Sequence, residues 1–395
     1  MDTAELTALL TPEGLRLLDG IGPLASTDDA ACAVSRLRAA GHSPDLVAAV
    51  VGQARLRVRA AAKFGPFADR MLFTRAGLEQ ATRLSIAARH AGRFRDAGMT
   101  SVADLGCGIG GDALGLAGLG IRVHAVDADE VTAAIAAYNL APFGEAASVT
   151  HARAENVDLS GTDAVWLDPA RRTAGHTETR QVASAEWSPS LEWVFDVLRR
   201  TPGGVKLGPG FDRAHIPDDV EAQWISADGS TIELVLWAGA LSRERVRRAA
   251  LVVRGGDAWE LTAPADSPDV DARDLGAFVH EPDGAVIRAR LIGEVARALD
   301  AGMVSDGIAY LTSDAALTSP FVSTFRVREQ LPVDTKKLAQ ALRARGIGTL
   351  EIKKRGVNID PALLRKKLSL RGDESATLIV TRVGSKRLAV LADRV

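Results

Sequence analysis

Three glycines at positions 106, 108 and 111 sit inside VADLGCGIGGDALGLAGLGIRVHAVD, residues 102–127, between an apolar stretch and a short helical pattern, with a second apolar stretch and Asp127 beyond. The spacing fits the G-x-G-x-x-G turn that brings backbone close to an adenosine-bearing cofactor, and Asp127 stands where a carboxylate accepts ribose hydroxyls. On the glycines alone, two enzyme classes and a ligand-free tight turn requiring φ > 0 all remain open. Asp104 narrows the choice. A pyrophosphate is anionic and takes bare N–H groups at a helix N-terminus, so a carboxylate two residues before the first glycine opposes it. S-adenosylmethionine carries a sulfonium and an α-ammonium and no phosphate, so Asp104 attracts it. A nicotinamide dinucleotide remains as the competing ligand.

A second group with chemistry closes the apolar run Ala164-Val-Trp-Leu167, which ends in Asp168 and Pro169 and is followed by Ala170, Arg171 and Arg172. In open α/β sheets, ligands lie beyond the carboxyl ends of the strands, so Asp168 is expected beside the reacting group. A strand-ending turn followed by plain surface cations is the structural alternative. Lys206-Leu-Gly-Pro-Gly210 offers a further turn, with Lys206 facing either a substrate phosphate or nothing at all. The two cysteines, Cys32 and Cys107, have no metal-ligand spacing, and no disulfide framework or metal site is expected.

Elements able to position these groups follow from periodicity. Residues 1–95 read as a helical N-terminal region, with helices expected from Asp28 to Ala40, Ser43 to Phe64 and Thr74 to Asp96. Aromatics and cations in Lys63-Phe-Gly-Pro-Phe67 and Arg70-Met-Leu-Phe73 interrupt that pattern, as core or as the wall of a cleft. Residues 96–245 alternate strand and helix, which argues for a parallel sheet covered on both faces. Strands are expected at 101–105, 121–126, 148–152, 163–167, 203–207, 220–226 and 231–237, the last two joined as an antiparallel hairpin through Ala227-Asp-Gly-Ser230. A dehydrogenase continues instead with parallel units. Residues 246–324 form a mixed connecting region with no chemical signal, including a helix expected from Ala285 to Ala301. Residues 325–395 alternate strand and helix again, with Asp334 and Asp360 as helix caps.

Composition excludes several classes. The 395 residues are 47% hydrophobic and 25% charged, as in a globular protein of more than one domain. An acidic start, MDTAEL, and the lack of a bilayer-length apolar run make the cytoplasm the expected compartment. The net charge of −2 conceals an asymmetry: residues 326–395 hold seventeen Lys and Arg against seven Asp and Glu. A basic segment on an acidic body suggests a polyanionic partner, with a solvated basic surface as the plain alternative.

Taken with their neighbours, these motifs resemble known families. The run Asp104-Leu-Gly106-Cys-Gly108-Ile-Gly110 resembles motif I of class I methyltransferases, [D/E]-x-G-x-G-x-G. That resemblance implies S-adenosyl-L-methionine as cofactor, with Asp104 serving its ammonium side, Gly106, Gly108 and Gly110 forming the loop, and Asp127 holding the ribose. Glu155 follows the third strand, where related enzymes present an acid to the adenine amine. Asp168-Pro169 resembles the [D/N/S]-P-P-[Y/F/W] signature of methyltransferases acting on exocyclic amines of nucleobases. Here the second proline is Ala170 and the aromatic is Arg171, a side chain that can also stack on a base. A D-P-x-R version is similar to uracil-C5 methyltransferases, whose chemistry needs a nucleophilic cysteine that neither Cys32 nor Cys107 is placed to supply.

With the K-L-G-P-G loop and TLEIKKRGVNIDPALLRKKL, nearly the whole chain resembles bacterial class I methyltransferases with a C-terminal THUMP-like domain, their core similar to trimethylguanosine-synthase-type guanine-N2 enzymes. The implied fold is α/β: a seven-stranded Rossmann-like sheet, a helical N-terminal region and a small basic α+β C-terminal domain. The implied activity is RNA methylation at an exocyclic amine, guanine N2 or adenine N6, with Asp168, Pro169 and Arg171 at the reacting centre. Structured RNA, such as tRNA, is the implied partner of residues 325–395, through Lys353, Lys354, Arg355, Arg365, Lys366 and Lys367. Two other readings stay open, a small-molecule or protein methyltransferase and a non-catalytic RNA-binding protein with a degenerate core.

Overall fold

The computed structural model describes residues 1–171 and 187–395. The chain divides into two compact units, the first of Met1–Leu207, Asp212–Val220 and Leu236–Ser242, the second of Gly208–Phe211, Glu221–Val235 and Arg243–Val395. No described helix is long and apolar enough to cross a membrane.

Four helices open the first unit: α1 (Thr3–Leu9), α2 (Pro12–Gly20), α3 (Thr27–Ala39) and α4 (Pro44–Phe64). Ser26 and Ser43 cap α3 and α4 through their side-chain oxygens. The single helix expected over Thr74–Asp96 is instead two, α5 (Arg75–Gln80) and α6 (Leu84–Asp96). Lys63, at the end of α4, explains the break: its Nζ donates to the carbonyls of Leu78, Glu79 and Ala81 at 2.8, 2.8 and 2.7 Å. Those carbonyls would otherwise accept from the next helical turn, so Ala81 leaves the helix at ψ 138 and the chain re-enters after Arg83.

The sheet strands are β1 (Ser101–Leu105), β2 (Arg122–Asp127), β3 (Ala147–His151), β4 (Ala164–Leu167), β5 (Gly203–Leu207), β6 (Glu221–Ala227), β7 (Ser230–Ala238), β8 (Arg248–Arg254) and β9 (Asp257–Ala263). Their order is β9-β8-β6-β7-β5-β4-β1-β2-β3. The expected seven strands are present, and the count is corrected to nine. RAALVVR supplies a strand apolar enough to pair in parallel with β6, and Gly255-Gly256, both at positive φ, return the chain as β9. Helix α7 (Gly111–Gly118) follows β1, α8 (Glu130–Leu140) follows β2, and α9 (Leu191–Arg200) precedes β5.

The core of the first unit is aromatic. Trp166 on β4 and Trp237 on β7 lie 5.6 Å apart between ring centroids, and Phe94 packs edge-on against both. Gly204 on β5 makes room for them: a Cβ there would stand 2.7 Å from the Trp166 ring and 2.8 Å from that of Trp237.

In the second unit, β10 (Phe278–Pro282), β11 (Gly302–Ser305), β12 (Ile308–Ser313), β13 (Val322–Leu331), β14 (Ile347–Lys354), β15 (Glu374–Val383) and β16 (Lys386–Arg394) form a sheet of order β11-β12-β10-β13-β16-β15-β14. Residues 246–324 therefore supply strands to both sheets. The helix expected over Ala285–Ala301 is split into α10 (Gly284–Arg288) and α11 (Ile292–Ala298), because Arg290 takes φ 59 between them. Helices α12 (Thr335–Ala344) and α13 (Pro361–Leu368) bury Leu338, Leu342, Leu364 and Leu368 against Leu350, Leu378 and Leu391 of the sheet.

Gly204→Ala is expected to cost about 1–3 kcal/mol by overpacking the two indoles. Urea unfolding followed by tryptophan fluorescence reads the loss, and an unchanged midpoint contradicts the packing described.

Candidate functional site

The glycine loop is shaped by its neighbours in the sheet. β1 pairs in parallel with β2 and β4, setting Asp104 beside Ala125 and Trp166. Beyond β1, Gly106 and Cys107 both donate to the Val126 carbonyl, at 2.9 and 3.0 Å, and Asp168 N donates to Leu105 O at 3.1 Å. Gly106 has φ +91, and a Cβ on it would lie 2.7 Å from the carbonyl oxygen of Asp168. This position admits only glycine. Gly108 and Gly110 also take positive φ, and a Cβ on Gly108 would meet open space. Buried Asn139 on α8 holds Ile109 of the loop, donating to its carbonyl at 2.9 Å and bonding both N and O of Leu72.

Asp127 clamps the loop from β2. One oxygen accepts from Gly108 N and the other from Asp129 N, each at 2.9 Å. Burial pushes its carboxyl above the usual range despite these bonds. Asp104 is more extreme. It is 1% exposed, and neither carboxylate oxygen has a hydrogen-bond partner among the described residues. Burial, then the neighbouring carboxylates of Asp112 and Asp168, push it well above the usual range, with Lys206 pulling only partly back.

Asp112 stands in the first turn of α7 and is neutralised where Asp104 is not. His90 Nδ1 donates to its Oδ1 at 2.8 Å and Thr82 Oγ1 to its Oδ2 at 2.7 Å. Burial would raise this carboxyl, but the His90 bond and the Lys206 charge prevail and bring it to about 2. The pair exists because α6 and α7 pack almost backbone to backbone: a Cβ on Gly115 would lie 2.7 Å from the carbonyl of Ala87. Lys206 on β5 completes the group, with Nζ 2.6 Å from Asp168 Oδ2 and 3.1 Å from Thr82 Oγ1.

Among the residues singled out from sequence, Asp104, Gly106, Gly108, Gly110, Asp127 and Asp168 thus share one loop and the strand ends around it. Pro169 is buried directly after Asp168. Glu155 lies on an exposed turn after β3, bonded to Arg153 at 2.9 Å. The side chain of Arg171 and all of Arg172 lie outside the described residues. Cys107 is buried with its thiol pushed well up, mainly by burial and then by Asp104, so it supplies no thiolate nucleophile. Sequence reading missed Thr82, His90 and Asp112. The available signal was a lone acid in the apolar helix GDALGLAG, the mark of a buried polar group that needs partners.

In the second unit, part of the basic surplus is consumed internally. Lys353 pairs with Glu281 at 2.6 Å and Arg355 with the same carboxylate at 3.7 Å, so neither is a freely presented cation. Lys354, Arg365, Lys366 and Lys367 are exposed.

A family model described as THUMP domain-like matches residues 322–394, and a domain of unknown function matches residues 2–60. Over 343 residues the chain is 35% identical to an uncharacterized S-adenosylmethionine-dependent methyltransferase of Mycobacterium tuberculosis, found in strains CDC 1551 / Oshkosh and ATCC 25618 / H37Rv. The match covers 85% of this chain and 92% of each relative. The crystal structure of a candidate methyltransferase from Porphyromonas gingivalis W83 superposes with a TM-score of 0.72 at 22% identity, over 99% of this chain and 96% of that one, and shares its fold.

The two carboxylates drive stability in opposite directions. Asp112 binds its proton less readily folded than unfolded, so its contribution is present above the ordinary value of 3.8 and is lost as pH falls towards about 2. Asp104 binds its proton more readily folded, so stability declines as pH rises from 3.8 through its raised value. Urea unfolding at a series of pH values is expected to show that rising-pH decline in the ligand-free protein and its loss in Asp104→Asn.

Proposed function

The chain belongs to the S-adenosylmethionine-dependent methyltransferases, and we propose that it methylates an exocyclic amine of a base in RNA, guanine N2 or adenine N6. The observation that carries the reading is Asp168, whose carbonyl packs on Gly106 of the cofactor loop while its carboxylate is gripped by Lys206. An acceptor-only oxygen so near the loop suits an amine that must be oriented and must shed a proton. RNA as the acceptor is supported by the THUMP domain-like match at residues 322–394 and by the seventeen cations in residues 326–395.

The residues present fit the cofactor. Two buried oxygens on Asp104, unpartnered among the described residues, suit a cation that arrives with hydrogen-bond donors, and Gly108 of the adjoining loop has open space where a Cβ would stand. Asp104 would hold the ammonium side, Asp127 the ribose hydroxyls, and Glu155 the adenine amine, with Gly106, Gly108 and Gly110 keeping the loop bare. When bound, S-adenosylmethionine supplies an electrophilic methyl carbon on a sulfonium, and transfer returns the bonding electron pair to sulfur.

The chain's own contribution is then positioning. Asp168 accepts a hydrogen bond from the attacking amine, fixing its lone pair in line with the methyl carbon. Pro169 ends β4 rigidly, and Arg171 is the candidate to stack on the base. The amine's surplus proton passes to solvent after transfer, since Asp168 already shares its charge with Lys206. In the second unit, Lys354, Arg365, Lys366 and Lys367 are candidate phosphate contacts.

Asp104→Asn is expected to weaken S-adenosylmethionine binding roughly ten- to a hundredfold, the worth of a charged hydrogen bond. Calorimetry checks this, and wild-type affinity should fall as pH falls, because the cation needs Asp104 ionised. Incubating the protein with labelled S-adenosylmethionine and total RNA from cells lacking it should put label into a methylated purine, identified by mass spectrometry. Label confined to protein or small molecules overturns the RNA acceptor, and RNA binding without any transfer overturns the enzyme reading. If three phosphates are neutralised, a fourfold rise in salt should weaken RNA binding roughly twenty- to fortyfold.

A further inference from the structure

Lys206 is held from several sides. Its side chain is 12% exposed, and its Nζ lies 2.6 Å from Asp168 Oδ2, 3.1 Å from Thr82 Oγ1 and 3.8 Å from Asp112 Oδ2. Because Thr82 gives its own proton to Asp112, its oxygen lone pairs are left to receive the ammonium. Asp112 is fixed in turn by His90, whose ring lies 4.6 Å from that of Trp166 between centroids. Lys63 secures the break on which Thr82 sits, through the carbonyls of Leu78, Glu79 and Ala81. Thr82 from the α5–α6 break, Asp112 from α7 and Asp168 from the end of β4 thus meet at one ammonium, with Lys63 and His90 holding the first two in place.

The direction of this chain of contacts is informative. His90, Asp112 and Lys206 have side chains 3%, 9% and 12% exposed, whereas Asp168, at its far end, is 35% exposed. A network serving stability alone gains little by reaching out to a part-exposed carboxylate, where an ion pair contributes little. A flexible four-carbon stem also loses rotamer entropy when it is immobilised, which the Asp112 and Thr82 contacts offset. We infer that Lys206 is a positioning residue for methyl transfer: anchored by Thr82 and Asp112, it fixes the Asp168 carboxylate in the orientation that receives the acceptor amine. The inference rests on the reading of Asp168 as the amine's hydrogen-bond acceptor.

Three consequences distinguish this role from simple support. Thr82→Val keeps the shape and the lysine but removes the oxygen that aims it. Lys206→Met removes the cation beside Asp168, and Lys206→Arg restores charge with different geometry. Among the described residues, the charged groups facing Asp168 are Lys206 on β5 and Asp104 on β1, with Asp112 on α7 beyond Thr82, so losing the Lys206 cation leaves the neighbouring carboxylates less opposed. Ionisation of Asp168 then requires higher pH.

The test uses the full chain, labelled S-adenosylmethionine and total RNA from cells lacking the enzyme. Thr82→Val should lower kcat about tenfold and Lys206→Met about a hundredfold, as misplacement of an orienting group does. Lys206→Arg should recover part of the loss. Calorimetry should show S-adenosylmethionine affinity within about threefold of wild type for Thr82→Val and Lys206→Arg, which keep the positive charge that Asp104 also feels. The acidic limb of the kcat profile should move to higher pH in Lys206→Met. Wild-type kcat and an unmoved limb in Lys206→Met, with Asp168→Asn inactive, overturn this inference alone. Full activity in Asp168→Asn overturns the reading beneath it. Should Lys206→Met fail to fold, wild-type kcat in folded Thr82→Val also refutes the inference.

Discussion

Asp104 sits sealed at the end of β1 with both oxygens unbonded among the described residues, and Asp112, Asp127 and Asp168 stand close enough to raise the cost of its ionisation. Four carboxylates so close together repel one another, most strongly at the buried pair Asp104 and Asp112, where solvent screens least. Much of the first unit can be understood as the management of that repulsion. Asp112 is silenced by His90 and Thr82, Asp127 is occupied by the amides of Gly108 and Asp129, and Asp168 is paired with Lys206. Asp104 alone of the four has no bonded partner among the described residues, and it immediately precedes the loop in which Gly108 leaves open space. The negative potential is thereby concentrated where a cationic ligand would discharge it.

Local signals carried much of the architecture. Strand–turn–helix alternation, the Asp104 to Gly110 spacing and the cap residues at Ser43, Asp334 and Asp360 each act within a few positions, and the corresponding elements lie close to where periodicity sets them. What stayed hidden depends on groups distant in sequence. The break between α5 and α6 comes from Lys63, which precedes the affected carbonyls by fifteen to eighteen residues. Thr82 and Lys206 are 124 positions apart and meet only through the packing of α6 on α7 and of β5 beside β4. No period or motif encodes such a meeting. The two added strands were hidden for another reason: β9 reads as polar because its side chains are largely exposed, and only pairing with β8 makes it a strand.

Charge counted along the chain and charge presented by the fold are different quantities in the second unit. Lys353 and Arg355 belong to the basic run of residues 353–355, yet both turn to Glu281 on β10, a strand outside the segment matched as THUMP domain-like. Arg355 also lies over the ring of Tyr310 at 5.4 Å, and Lys353 over Phe325 at 5.7 Å. These cations fasten β14 to its sheet. The cations left outward are fewer, and three of them, Arg365, Lys366 and Lys367, follow one another in the last turn of α13.

The near-contact of α6 with α7 at Gly115 and Ala87 also bears on how this protein can be divided. Helix α6 precedes the first sheet strand and could pass for the tail of a detachable helical leader. Yet it contributes His90 to the Asp112 pair and Phe94 to the aromatic core, and it leaves no room for even one methyl group on the facing helix. A chimera that transplanted the strands from Ser101 onward would leave Asp112 exposed on one side and the indoles of Trp166 and Trp237 uncovered. The smallest portable version of this fold therefore begins upstream of its first strand, and α6 travels with the sheet as one inherited block.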